Sequence, residues 1–163
     1  YLEIVKKLKK VNANIKFSSD FIIGYPGETE KDFNDTLKVI DKVEYINFYS
    51  FIYSPRPGTP AAKLKKIDET LAKERLSIFQ KKAEEVKMRY RKNLFNKECS
   101  VLFENELKDR PRFFGKDEFS NSVIVKSSEN LKGKIKKVSI INGNHNTLFG
   151  SISKKGNKRD FAA

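Results

Sequence analysis

The residues best suited to hold a small ligand lie in two loops that each follow an apolar stretch. The first loop is Gly24-Tyr25-Pro26-Gly27-Glu28, and the second contains Arg56 within Ser54-Pro55-Arg56-Pro57-Gly58-Thr59-Pro60. Glycine lets a backbone approach a ligand closely, and proline fixes the shape of a turn. A guanidinium group can hold a phosphate or a carboxylate through two parallel hydrogen bonds. Both loops therefore predict contact with a ligand that carries polar or anionic groups.

The elements that position these loops form a β–α–β unit. Residues 16–23 predict a strand, and the continuous apolar run Phe21-Ile22-Ile23 is typical of a strand buried on both faces. Thr29 is the expected N-cap of a helix, with Asp32 as its capping-box partner. Residues 45–53 predict the second strand. The order predicts parallel strands, so both loops lie at the strand ends where α/β folds bind ligands.

A long helix follows, with Asp68 as its expected N-cap and apolar residues at four-three spacing from Ala72 to Tyr90. Its other faces are rich in lysine and arginine, which indicates either a solvated surface or a basic ridge beside RNA.

From about residue 95 the pattern changes to short β-rich runs separated by turn residues. Five strands within about sixty residues predict a small barrel of the OB kind. Such barrels bind nucleic acid with basic side chains on phosphates and aromatic rings against bases. The predicted strands are residues 100–107, 112–115, 122–127, 134–141 and 147–152.

Charge favours a polyanionic partner. The chain has 34 basic and 21 acidic residues and a net charge of +13. The first 62 residues are nearly neutral, and the basic excess begins at the long helix. A solubilising surface is the alternative explanation. Between Arg110 and Lys116, basic and aromatic residues alternate, and one of Phe113 and Phe114 must belong to the core because adjacent strand residues face opposite ways.

The composition excludes several classes of protein and site. Apolar residues make up 38% of the chain, and no apolar run approaches the roughly 20 residues that span a bilayer. The single Cys99 excludes an intramolecular disulfide and fits a reducing cytoplasm. With only His145 beside it, the chain cannot supply the three or four ligands of a zinc or iron–sulfur site. The sequence starts at Tyr1 without an initiator Met, so we expect it to begin inside a longer protein.

Two motifs resemble one enzyme family. They read Ser-Ser-Asp-Phe-Ile-Ile-Gly-Tyr-Pro-Gly-Glu-Thr over residues 18–29 and Tyr-Ser-Phe-Ile-Tyr-Ser-Pro-Arg-Pro-Gly-Thr-Pro-Ala-Ala over residues 49–62. Both are similar to the radical S-adenosylmethionine (SAM) methylthiotransferases, and the barrel-like segment resembles the TRAM domain that ends these enzymes. The implied fold is α/β followed by all-β. It comprises the C-terminal part of a radical SAM (partial TIM-type) barrel with a linking helix over 1–94, a TRAM-like barrel over 95–153 and a basic disordered tail over 154–163.

The resemblance also implies an activity. It is closest to the enzymes that add a methylthio group to C2 of dimethylallyladenosine beside the tRNA anticodon. Those enzymes use SAM and two 4Fe-4S clusters, and neither set of cluster cysteines occurs here. The chain is therefore expected to be a cytoplasmic, monomeric C-terminal fragment, inactive alone, whose TRAM domain binds the anticodon stem-loop. The sulfur and electron donors stay open. The alternatives are a methylthiotransferase for threonylcarbamoyladenosine in tRNA and a non-catalytic, stand-alone RNA-binding module.

The resemblance assigns roles to individual residues. The strand-end loop would lie beside the adenosyl part of SAM, although an ordinary turn before a helix is the alternative. Family members commonly carry Gly-Arg-Thr and a following Asn where this chain has Gly115-Lys116-Asp117 and Asn121, and the Arg-to-Lys change weakens a two-pronged phosphate contact. The expected cofactor-binding residues are Asp20, Gly24, Pro26, Gly27 and Glu28. The expected RNA-binding residues are Arg56, Arg110, Arg112, Lys116, Asn121, Lys134 and Lys136.

Overall fold

The computed structural model describes residues 1–108 and 111–153, and the chain divides into two compact units, Tyr1–Lys87 and Met88–Ala163. The boundary falls within a helix, α3, that spans Glu69–Lys92. The sequence places the break later, between residues 94 and 95, and that domain division stays a prediction. No helix among the described residues is both long and apolar enough to cross a membrane.

The first unit contains the predicted β–α–β segment. Its elements in chain order are α1 (Leu2–Val11), β1 (Ser18–Ile23), α2 (Glu30–Val43), β2 (Asn47–Ile52), a 3₁₀ turn at Pro60–Lys63 and the first part of α3. Strands β1 and β2 are parallel, as predicted, with Ser18 opposite Asn47 and Ile23 opposite Ile52. Both strands therefore end at the same edge of the sheet, and the two candidate ligand loops begin there.

Local sequence signals explain where the helices begin. At the start of α2, the Thr29 hydroxyl accepts the Asp32 N–H at 3.2 Å and the Asp32 carboxylate accepts the Thr29 N–H at 3.0 Å. This is the predicted capping box. At the start of α3, the Asp68 carboxylate accepts the Leu71 N–H at 3.0 Å, which confirms the second predicted cap.

The core of the first unit lies on one face of the two-stranded sheet. Phe21 packs its ring 4.8 Å from Phe79 and 5.5 Å from Tyr45, measured between ring centroids. The opposite face is open, since Ile22 is 57% exposed and Phe51 is 56% exposed. The expectation that β1 is buried on both faces is therefore wrong for the described residues, because the helices cover only one side of this sheet.

The second unit is a closed barrel built from all five predicted strands. They are β3 (Glu98–Glu106), β4 (Arg112–Asp117), β5 (Ser122–Lys126), β6 (Ile135–Gly143) and β7 (Leu148–Ile152). The spatial order is β3-β4-β5-β7-β6, and β5 and β7 pair in parallel while the other pairs are antiparallel. The barrel core consists of Val101, Phe103, Phe113, Val123, Val125, Leu131, Val138, Ile140 and Leu148.

Two details of β4 show how the barrel is packed. Phe113 is buried in the core and Phe114 faces outward, as strand alternation predicts for this pair. At Gly115, an added Cβ would lie 2.4 Å from the carbonyl oxygen of Leu102 and 2.8 Å from Cγ1 of Val101. Only glycine therefore allows β3 and β4 to approach this closely.

Candidate functional site

The loop after β1 is a tight turn held by its own glutamate. Gly24 and Gly27 have φ angles of +74° and +85°, in the left-handed region that favours glycine. The Glu28 N–H donates to the Tyr25 carbonyl at 2.9 Å, and the Glu28 carboxylate accepts the Gly24 N–H at 3.2 Å. Pro26 is buried within this turn. The structure thus brings together four of the five residues predicted to bind a cofactor.

A buried arginine that the sequence analysis did not single out supports this loop. Arg75 on α3 donates from Nη1 to the Glu28 carboxylate at 2.8 Å and to the Glu28 carbonyl at 3.1 Å. Its Nη2 donates to Glu30 at 3.0 Å, and its guanidinium lies 5.4 Å from the ring centroid of Phe33. Arg75 is only 4% exposed. The signal that could have found it is its position beside Ala72 and Phe79 on the apolar stripe of α3.

The carboxylates of Glu28 and Glu30 compensate the buried positive charge of Arg75. Burial lowers the pKa of Arg75, but the hydrogen bonds and charges of Glu28 and Glu30 outweigh it, so that the pKa is raised. The carboxylate of Glu28 is occupied by the Gly24 N–H and the Arg75 guanidinium. The immediate role of Glu28 is therefore to shape the loop, and its cofactor contact stays a prediction.

Asp20 lies apart from the loop. It is exposed on β1, opposite Tyr49 on β2, and shares the open face of the sheet with Ile22 and Phe51. Because successive strand residues alternate between faces, these side chains point away from the helices. Asp20 is therefore available on a surface that also presents large apolar side chains.

A cleft of ≈ 480 Å³ lies next to the carboxyl ends of both strands, with Ile22, Phe51, Tyr53, Arg56 and Thr59 among its lining residues. The Arg56 carbonyl accepts the hydroxyl of Thr59 at 2.8 Å, which fixes the turn that carries the guanidinium. The Tyr53 hydroxyl is buried and has no hydrogen-bond partner among the described residues. Apolar walls, an arginine and an unused hydroxyl suit a ligand that combines a flat ring with an anionic group.

The predicted RNA-binding residues of the barrel are distributed over its surface. Lys116 is exposed on β4, and Arg112 is half-buried on the same strand. Lys134 and Lys136 both lie near the carboxylate of Glu129, at 2.7 Å and 3.6 Å. These exposed ion pairs are weak and would exchange readily for a phosphate contact. Arg110 lies outside the described residues.

Asn121 has an internal structural role. It is 5% exposed, and its side-chain amide donates to the Asp117 carboxylate at 2.8 Å and to the Tyr90 hydroxyl at 3.1 Å. The same carboxylate accepts the backbone N–H groups of Phe119 and Asn121, each at 2.8 Å. These bonds fix the turn between β4 and β5 against the last part of α3. RNA contact by Asn121 stays a prediction, since its amide donors are already used.

A second buried arginine fixes the loop between β6 and β7. Arg91 is 3% exposed and donates to the carbonyls of Asn144 at 2.7 Å and Asn146 at 3.3 Å. Burial lowers the pKa of Arg91, and the charges of Tyr90 and Asp117 offset this only in part. The sequence analysis did not identify this residue, and nothing in the local pattern connects it to a loop more than fifty residues away.

One group of possible metal ligands occurs among the described residues. The Sγ of Cys99 and carboxylate oxygens of Asp117 and Glu118 all lie within 4.8 Å of one another. Burial raises the pKa of the Cys99 thiol to about 12, and the Glu118 carboxylate accepts the Ser100 N–H at 2.9 Å. Asp117 already accepts three hydrogen bonds in the turn described above. These groups therefore stabilise the barrel through packing and hydrogen bonds. One thiol is too few for an iron–sulfur cluster.

Comparison with known proteins gives relatives that match almost the whole chain. The tRNA-2-methylthio-N(6)-dimethylallyladenosine synthase of Pelagibacter ubique is 46% identical over 159 residues, which cover 98% of this chain and 36% of that protein. Synthases of the same name from Wolbachia pipientis wMel and Rickettsia bellii are each 40% identical, over 92% and 93% of this chain and 35% and 34% of theirs. No protein-family model matches. The chain spans about a third of the length of these synthases and is similar to them over nearly all of its own length.

Proposed function

We propose that this chain is the C-terminal part of an enzyme that adds a methylthio group to C2 of dimethylallyladenosine next to the anticodon of tRNA. The observation that carries the proposal is the 46% identity, over 98% of the chain, to a protein named for that product. A parallel β–α–β segment followed by a closed five-stranded barrel is compatible with the end of a radical SAM core and a TRAM domain. In this proposal the protein acts in the cytoplasm.

The chain lacks the ligands for the iron–sulfur clusters of this reaction, but it contains a loop that is compatible with SAM. A 4Fe-4S cluster needs about four thiolates, and the sequence contains one cysteine, so both clusters would be held by residues outside this chain. The loop after β1 is compatible with part of a bound SAM, which would supply the radical that starts sulfur insertion and the methyl group. At Gly27, an added Cβ would meet nothing within 4 Å, so a ligand can reach the backbone there.

The two glycines of the loop, Gly24 and Gly27, therefore have different structural roles. At Gly24, an added Cβ would lie 3.0 Å from the Cβ of Ala72, so this glycine lets the loop pack against α3. Glu28 and Arg75 then hold the loop in place, which keeps Gly27 and Pro26 at the strand ends. In this proposal Gly27 faces the cofactor, and the other residues position it.

Binding of tRNA would use the basic surface of the chain. The net charge of +13 favours phosphates, and Arg112 and Lys116 are carried on one barrel strand. The isolated chain should bind tRNA with an affinity that falls steeply as the salt concentration rises. Affinity that stays constant between 50 and about 200 mM salt would contradict a phosphate-based contact.

A chimaeric enzyme tests the activity. The matching segment of the Pelagibacter ubique synthase is replaced by this chain, and the chimaera is produced in cells that lack their own synthase. Mass spectrometry of the tRNA nucleosides should then detect methylthio-dimethylallyladenosine. A matched chimaera with Gly27→Asn should fold and bind tRNA, because asparagine tolerates the positive φ at this position. It should lose most of the product, because its side chain would occupy the open space next to the loop.

Two results would contradict the proposal. Formation of methylthio-threonylcarbamoyladenosine would assign the chain to the other tRNA substrate. A folded chimaera that binds tRNA and forms neither product would leave the chain as an RNA-binding module.

A further inference from the structure

Three apolar side chains form a row across the outside of the barrel. In the strand register, Phe114 on β4 lies opposite Ile124 on β5, and Ile124 lies opposite Phe149 on β7. Their chain neighbours Phe113 and Val123 point inward and are 3% and 0% exposed. Alternation along each strand therefore directs the row outward, where its three members are half-buried.

The row continues into polar side chains at both ends. Asn105 on β3 lies opposite Phe114, and Asn142 on β6 lies opposite Phe149. Both asparagines are exposed, and their amides can donate hydrogen bonds to base edges and accept them. Each of the five barrel strands thus contributes one residue to a continuous line of two rings, one aliphatic side chain and two amides.

Basic residues border this row on both sides. Arg112 and Lys126 lie opposite each other, each two positions from the row on β4 and β5, and Lys116 lies two positions beyond Phe114 in the other direction. Residues two apart on a strand face the same way and lie about 7 Å apart. The cationic groups therefore stand on the same outer face as the two phenylalanines.

We propose that this row is a stacking platform for the bases of an unpaired RNA segment, with Arg112, Lys116 and Lys126 placed along its phosphates. The inference rests on the proposed function and deepens it, because it assigns bases as well as phosphates to the contact. Aromatic rings stack on bases only where the bases are not already stacked in a duplex. The rings stand two strand spacings apart, about 9–10 Å, so they receive bases that are splayed out from one another.

Binding to two labelled oligonucleotides tests the platform in the complete chain. One is a 12-nucleotide unstructured RNA, and the other has the same length and charge but lacks bases. Fluorescence anisotropy should show at least about tenfold tighter binding of the RNA that carries bases. The variants Phe114→Leu and Phe149→Leu should each weaken that binding about tenfold and leave binding of the abasic strand unchanged. Phe114→Tyr should keep the affinity, because tyrosine also stacks.

Ile135→Ala is the matched control. Ile135 is 68% exposed on β6, opposite Leu102 of β3, and lies away from the row. Its removal should change neither affinity. Thermal melting of the leucine variants checks that the barrel is intact, and the comparison of the two oligonucleotides on the unmodified chain needs no variant at all.

The outcomes separate the two proposals. Equal affinity for both oligonucleotides would overturn the platform and leave phosphate binding standing. Full RNA affinity in both leucine variants would also overturn it, because RNA binding would then require an apolar surface and no aromatic ring. Failure to bind either oligonucleotide would overturn the platform together with the proposed RNA binding.

Discussion

In the first unit, helices cover one face of the parallel sheet and large apolar side chains are exposed on the other, whereas in the second unit five strands close around a single core. Tyr49 and Phe51 on the open face are 58% and 56% exposed, while Phe103 in the barrel is 0% exposed. The same kinds of residue therefore contribute very differently to the stability of the two units. A closed barrel satisfies all its strand edges and buries its own core, which a two-stranded sheet cannot do.

The two buried arginines differ in a related way. Arg75 meets the carboxylates of Glu28 and Glu30 and has a raised pKa, whereas Arg91 meets two backbone carbonyls and has a lowered pKa. In the first unit a charged cluster fixes a candidate ligand loop, and in the second unit neutral acceptors fix a connection between strands. Buried charge near the candidate cofactor loop is thus compensated by opposite charge.

The largest expected effect comes from emptying the barrel core. Phe103→Ala should lower the free energy of unfolding of the barrel by about 3–5 kcal/mol, because it removes a fully buried ring and leaves a cavity. The matched Phe51→Ala on the open face should change the stability of the first unit by about 0.5 kcal/mol or less. Hydrogen exchange followed by mass spectrometry reports the two units separately. Equal losses in both variants would refute the contrast between the two sheets.

Removal of Arg75 should have the next largest effect. Arg75→Leu leaves the Glu28 carboxylate in a buried place without its guanidinium partner, and the first unit should lose about 3 kcal/mol. The control is Lys73→Ala on the same helix. Lys73 pairs with Glu69 at 2.6 Å in an exposed position, so its loss should cost about 0.5 kcal/mol or less.

Urea unfolding followed by tyrosine fluorescence suits this measurement. Five of the six tyrosines, Tyr1, Tyr25, Tyr45, Tyr49 and Tyr53, belong to the first unit. Comparable stability of the Arg75 and Lys73 variants would show that the buried cluster does not hold the loop.

The smallest expected effect concerns Cys99, which packs half-buried against the barrel core. Because burial raises the pKa of its thiol from 9.0 to about 12, the folded chain holds the proton that the unfolded chain releases. The associated stability is complete below pH 9.0 and is lost as the pH rises toward about 12. Alkylation by iodoacetamide at pH 8 should therefore be much slower in the native chain than in urea. Equal alkylation rates would show that the barrel opens at this strand.

Several elements could be predicted from the sequence because their signals are local. The capping box of Thr29 and Asp32 and the cap at Asp68 depend on residues a few positions apart, and the structure contains all of these bonds. Alternation likewise predicted that one of Phe113 and Phe114 belongs to the core. The burial of β1 on both faces could not be judged in this way, because the apolar run of Phe21, Ile22 and Ile23 does not reveal how many layers cover a sheet.

The candidate sites depended more on contacts between distant residues. Arg75 and Glu28 are 47 positions apart, and their pairing follows from the packing of α3 beside the strand-end loop. The sequence predicts that Asn121 contacts RNA, yet its side-chain amide donates to the Asp117 carboxylate and the Tyr90 hydroxyl. The contacts of Arg75 and Tyr90 join residues that are far apart in the sequence. They depend on the tertiary fold, so a short sequence pattern cannot predict them.

By itself, the sequence determined the order of the helices and strands, the helix caps, the parallel β–α–β unit and the five strands of the barrel, because periodicity and capping act over a few residues. Only the tertiary structure decided which arginines are buried and that β5 and β7 lie side by side. That pairing joins strands that are not consecutive in the chain, and it alone places Phe114, Ile124 and Phe149 in one row. Barrel closure fixes such neighbours because every strand edge must find a partner.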